Sequence, residues 1–105
     1  MASPTTIRTG LYQEPLQAAR INVQIPSVTQ LELIEEAIRS VIAGSDLRKP
    51  RAELECIMNE MRANGAEVIL LGCTELSVLF PEVKADRIDP LHIITSVLLE
   101  AKPRI

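Results

Sequence analysis

Apolar positions along the chain fall into two alternating rhythms. Ile21, Val23 and Ile25 alternate with Asn22 and Gln24, the period of a half-buried strand, so Arg20 to Ile25 is predicted as a short strand that Pro26 ends. Ahead of it, a helical stretch is expected from about Thr9 or Gly10 to Ala19. Pro15 either lies in its first turn or breaks it. After Pro26, Ser27 with Gln30 and Thr29 with Glu32 both have capping-box spacing. A helix follows with Leu31, Ile34, Ile38 and Val41 on one face, stopped at Gly44. Pro50 suits the first turn of the next helix, whose core face is Leu54, Ile57, Met58 and Met61 and whose end is Asn64-Gly65. Glu67 to Leu71 contains four consecutive apolar residues, an unalternating run that fits a parallel strand covered on both faces. A helical turn is expected from Cys73 to Phe80, then a short strand at Arg87-Ile88-Asp89. A last helix opens at Pro90, with Leu91, Ile94, Leu98 and Ala101 in register.

Strands alternating with helices define an α/β fold built on a parallel sheet. The two or three strands counted are few for such a sheet, and Met-Ala-Ser-Pro-Thr-Thr at the start is loop-like. The expectation is therefore a partial parallel sheet flanked by helices, one incomplete domain spanning residues 1–105.

Composition narrows the function classes. The 105 residues carry 11 basic and 14 acidic side chains, well mixed along the chain, and only 2% aromatics, which gives no footprint for nucleic acid. No apolar run approaches a membrane span, and the N-terminus lacks the pattern of a secretory signal. Two cysteines outside any metal-ligand spacing are in keeping with a reduced, cytoplasmic protein without a metal site.

Cys73 is the residue best placed for chemistry. In open α/β sheets, reactive groups gather where strand ends meet helix starts. Gly72 would let the backbone turn sharply and a ligand approach closely, and Thr74 and Glu75 would open the following helix. Amide groups and the dipole at a helix start favour a thiolate. The other reading, a small buried hydrophobe, stays open on position alone. Cys56 lies mid-helix, off the apolar stripe, and reads as structural or incidental. His92, the only histidine, reads as a capping or surface residue more readily than as the base of a Cys–His pair.

Three stretches carry a resemblance. Ala-Ser-Pro-Thr-Thr-Ile-Arg-Thr-Gly-Leu-Tyr at 2–12, Gly65-Ala66-Glu67 leading into Val-Ile-Leu-Leu-Gly-Cys-Thr-Glu at 68–75, and Ile88-Asp89-Pro90 together resemble the C-terminal half of the aspartate/glutamate racemase family. The resemblance implies the second lobe of a two-lobed racemase and a cofactor-independent mechanism. One cysteine thiolate removes the α-proton of a small acidic amino acid, and a second thiol returns a proton to the opposite face. It casts Cys73 as one of the two, with Thr74 and Thr6 as substrate contacts; both threonines equally suit a capping role.

The sequence also departs from the family. The partner cysteine of the first lobe, normally followed by Asn-Thr, has no counterpart in 1–105. Many members carry a lysine where Ile42 stands, and a histidine five residues past the aspartate, whereas His92 is three past Asp89. The expectation is a truncated C-terminal portion, inactive alone. The alternative is a non-catalytic dimerisation or protein-binding module, and a homodimer is one form it would take. It is motivated by the apolar stripe at 31–41 and by the apolar last helix.

Overall fold

The computed structural model describes residues 1–100. Among the described residues there are six helices and a two-stranded parallel sheet: α1 (Pro4–Thr9), α2 (Gln13–Ala18), α3 (Val28–Ile42), α4 (Arg48–Ala63), β1 (Ile69–Leu70), α5 (Thr74–Leu79), β2 (Arg87–Ile88) and α6 (Pro90–Glu100). The chain is mostly helical, and the parallel pair joined through α5 keeps it within the α/β class.

The long helices form where the pattern places them. Ser27 caps α3 through the full capping box with Gln30, and Ile34 and Ala37 bury its inner face. In α4, Leu54, Ile57, Met58 and Met61 are all buried. The two helices end alike. Gly44 and Gly65 take left-handed backbone, and their amides, with those of Ser45 and Ala66, return to carbonyls of the last turn. One core results: Ile34, Leu54 and Met58 from the helices, Ile69 and Leu71 from the β1 segment, and Leu76, Leu79 and Phe80 from α5 and its end.

Three expectations need correction at the N-terminal end and the sheet. The helix expected over 9–19 is confined to the short α2, and a separate helix, α1, precedes it. Ser3 caps α1 and Pro4 opens it, well before Thr9, and Gly10 closes it with φ 71°. Pro15 sits in the first turn of α2, where its missing N–H has no partner to lose. The strand expected at Arg20 to Ile25 does not form. Arg20 has φ 62°, and it and Ile21 donate to the carbonyls of Gln17 and Leu16, so the supposed strand start is the C-terminal cap of α2. The rest of that segment has no strand beside it to complete a ladder.

The run at 67–71 is strand only at Ile69–Leu70, and it is covered on one face rather than two. Ile69 and Leu71 are buried, whereas Val68 is 47% exposed. The alternation of side chains across a strand explains the split. α6 forms from Pro90 as expected, but none of its residues is buried, and its predicted register position at Ala101 lies outside the described residues.

Candidate active site

Cys73 stands where the chain leaves β1 and enters α5. Its backbone is extended (φ −145°, ψ 138°), and it occupies the N-cap position without using its side chain as a cap. Gly72 precedes it, and the reason for glycine is steric. A Cβ there would lie 2.8 Å from Tyr12 Cε2 and 2.9 Å from Ala2 Cβ. The space expected at Gly72 for a ligand is taken by Ala2 and Tyr12 of the chain itself. The Gly72 amide donates to the Met1 carbonyl at 2.7 Å, which docks the start of α1 at the carboxyl end of β1.

The sulfur is half-buried and donates a hydrogen bond to Glu75 Oε2 at 2.7 Å, and Thr74 Oγ1 donates to the same oxygen at 3.2 Å. Burial pushes the Cys73 thiol up from its ordinary value. The Glu75 carboxylate adds to this, while the amides of Glu75 and Leu76 pull the other way. The amides expected to favour a thiolate do face the sulfur, but they are outweighed. The balance favours the protonated thiol over the thiolate. Reciprocally, the bond from Cys73 holds the Glu75 carboxyl below the usual range.

Glu75 is the hydrogen-bonding neighbour of the sulfur that the residue pattern did not single out. Its signal was the Cys-Thr-Glu sequence itself. A carboxylate two residues past an N-cap turns back over the cap, as acidic residues in a first turn commonly do.

Thr74 is exposed at the first position of α5, with its hydroxyl directed at Glu75. Thr6 lies in α1, where its amide donates to Ser3 Oγ and its hydroxyl lies 2.9 Å from the same oxygen. The docking of Met1 on Gly72 brings the α1 segment to the strand end that carries Cys73 and Thr74. No hydrogen bond joins Thr6 to either of them among the described residues.

Cys56 is exposed on the outer side of α4, and both cysteines are free thiols. His92 Nε2 lies 3.5 Å from Asp89 Oδ2 across one turn of α6, while Asp89 Oδ1 accepts from the Leu91 amide. This is a helix-start arrangement, as expected for His92. Ile42 is 71% exposed at the end of α3. Among the described residues no group of three or more His, Cys, Asp or Glu side chains is arranged to hold a metal, and no helix is long and apolar enough to cross a membrane.

An α/β chain with a thiol at the end of a parallel strand, beside a carboxylate and a hydroxyl, has the parts of an acid–base site. Residues 1–101 match the family model for Asp/Glu/Hydantoin racemase, and the chain belongs to that family. A racemase-type function at the level of the family, with amino-acid substrates, follows from that membership.

Proposed function

We propose that the chain contributes one half of a cofactor-independent, two-thiol racemase site acting on a small acidic amino acid. Cys73 is its proton-transferring residue, and Thr74 and Thr6 are its substrate contacts. The carrying observation is the placement of Cys73: the N-cap of α5 at the end of β1, bonded to Glu75, in a chain that matches the racemase family over 1–101. Inversion at carbon needs a base on one face and an acid on the other. The C–H bond breaks toward the first sulfur, the electron pair delocalises into the carboxylate, and the second sulfur gives its proton to the opposite face. Because the Cys73 thiol is pushed up, it serves as the proton-donating member in the resting state, opposite a thiolate that acts first.

The opposing thiol must then come from polypeptide outside 1–105, since Cys56 is exposed on the outer side of α4. In D₂O, the chain alone is expected to leave L-aspartate and L-glutamate unracemised. Rapid α-proton exchange with racemisation by the chain alone would refute the need for a second thiol. Adding a polypeptide with a strand followed by Cys-Asn-Thr is expected to restore racemisation, and Cys73→Ala is expected to abolish it. Restored activity that survives Cys73→Ala would remove Cys73 from the mechanism.

A second reading, an assembly module derived from this lobe, is favoured by α6. Leu91, Ile94, Leu98 and Leu99 are all exposed on that helix. Sedimentation equilibrium separates the two readings: a strict monomer up to high concentration, with no partner, counts against the assembly role.

A further inference from the structure

The end of α5 opposite Cys73 carries a charged cluster that proton transfer does not use. α5 has six residues, too few to stand on its own backbone bonds, and no basic side chain in its last turn. The cations that its carbonyl end favours come from other elements. Arg51, near the start of α4, donates through Nη1 to the Leu79 carbonyl at 2.7 Å and through Nη2 to Glu82 Oε1 at 2.9 Å. Arg87, on β2, donates through Nη2 to the Glu82 carbonyl at 2.6 Å and lies 3.4 Å from Glu82 Oε2. Both guanidinium carbons lie 5.1 Å from the centre of the fully buried Phe80 ring, within cation–π range.

What this cluster holds follows from how α5 is otherwise attached. Leu76 and Leu79 bury one side of the helix in the core, an attachment that gives no direction along its axis. Among the described residues, the bond from Arg51 to Leu79 is the only hydrogen bond that another element makes to residues 74–80. The helix start has no side-chain cap, and Cys73 occupies it, resting against the same core. At 1.5 Å per residue, the two ends of so short a helix are about 9 Å apart, so a displacement at the carbonyl end carries through to the sulfur.

We propose that Arg51 is a positioning residue for Cys73. With Arg87 and Glu82 it grips Phe80 and the Leu79 carbonyl, and by holding that end of α5 it keeps the thiol at the other end seated against the core. The consequence for catalysis rests on the proton-transfer reading, whereas the grip itself stands on the geometry of α5. The Arg51 side chain is 36% exposed and that of Arg87 only 5%, so a substitution at 51 leaves the core intact.

The test follows alkylation of Cys73 by iodoacetamide against pH, in the full chain carrying Cys56→Ser. Arg51→Met keeps an unbranched stem beside Phe80 and removes both hydrogen bonds. With α5 loosened, the thiol loses part of the burial that pushes it up. The rate curve should move to lower pH by about half a unit, roughly threefold in rate below the midpoint. Arg51→Lys, which keeps a charged donor for the Leu79 carbonyl, should restore most of the parent curve. Glu82→Gln, at a half-exposed position, removes the charge shared by the two arginines and should move the curve the same way by less. Glu36→Gly, on the exposed side of α3, lowers overall stability through the helix backbone and should leave the curve in place. The proposal is overturned if neither Arg51→Met nor Glu82→Gln moves the curve, if Arg51→Lys does not reverse the shift, or if Glu36→Gly shifts it equally. Thiol reactivity is read without racemisation. An unmoved curve therefore refutes the grip whatever the catalytic outcome, and a completed site that fails to racemise refutes the two-thiol reading whatever the curve.

Discussion

Gly72→Ala tests whether the site depends on the contact between the chain's first residues and the end of β1. The new methyl would meet Tyr12 Cε2 at 2.8 Å and Ala2 Cβ at 2.9 Å, both inside the distance real Cβ atoms keep. The two neighbours differ in how far they can give. Tyr12 is half-buried, and the near atom is on the ring, which can swing aside. Ala2 is 2% exposed, and its Cβ moves only if the backbone moves. That backbone is tied to Gly72 by the bond between the Gly72 amide and the Met1 carbonyl. Inserting one carbon into such a packed contact costs about 1–3 kcal/mol. In a domain of this size each kcal/mol is worth roughly 4–8 °C in Tm. Urea unfolding followed by circular dichroism should show a loss in that range. The cause is isolated by a double-mutant cycle with Ala2→Gly, which removes the atom that cannot yield. Against the Ala2→Gly background, Gly72→Ala is expected to cost at least about 1 kcal/mol less than in the parent chain. A Gly72→Ala chain within about 0.5 kcal/mol of the parent, or a cycle with no coupling, would refute the contact.

Three further outcomes follow from particular groups. Glu75→Gln removes the carboxylate that raises the Cys73 thiol, so alkylation of Cys73 at mildly alkaline pH should quicken several-fold in a Cys56→Ser background; an unchanged pH–rate curve would sink the pairing. Arg20→Gly should stabilise by about 1 kcal/mol, because the left-handed residue that ends α2 then carries no side chain, and equilibrium urea unfolding would read the gain. The Met1 amino group is lowered by burial from 8.0 to about 6, so between those values the unfolded chain binds more protons than the folded one. Its contribution therefore makes stability rise from pH 6 to pH 8, by up to about 2 kcal/mol, and a chain acetylated at Met1 should lack that slope in urea midpoints.

How far the residues revealed the fold depends on where each signal came from. Helices α3 and α4 were legible because three local features agree: a capping box or early proline, an apolar stripe of the right period, and a glycine in left-handed backbone at the end. The sheet was read less well. Residues 21–25 alternate as a strand should, but alternation describes only which side a residue faces, and a ladder requires a neighbour. The residue that decides the local conformation is Arg20, whose left-handed backbone nothing in its chemistry announces. At the site, the strand-to-helix position of Cys73 was legible from Gly-Cys-Thr-Glu, and Thr74 falls where that reading puts it. Thr6 was placed in a loop by the same reading, yet it sits inside α1, because Ser3 and Pro4 start that helix earlier than the apolar pattern does.

The protonation of Cys73 is where local reasoning led in the wrong direction, and the reason bears on mechanism. A helix start offers amides to a sulfur at its cap, and that effect is present here. It is countered by partial burial and by a carboxylate belonging to the same turn, which an anion-favouring amide end attracts for the same reason it would attract a thiolate. Two anions cannot both occupy one helix start at low cost, so the stronger acid takes the charge and the weaker one keeps its proton. Glu75 is the stronger acid, and Cys73 becomes its hydrogen-bond donor. For Cys73 to act as a base, the Glu75 carboxylate has to leave the sulfur or be neutralised. On the two-thiol reading proposed above, proton return is therefore the step assigned to Cys73, and proton removal is assigned to the opposing thiol.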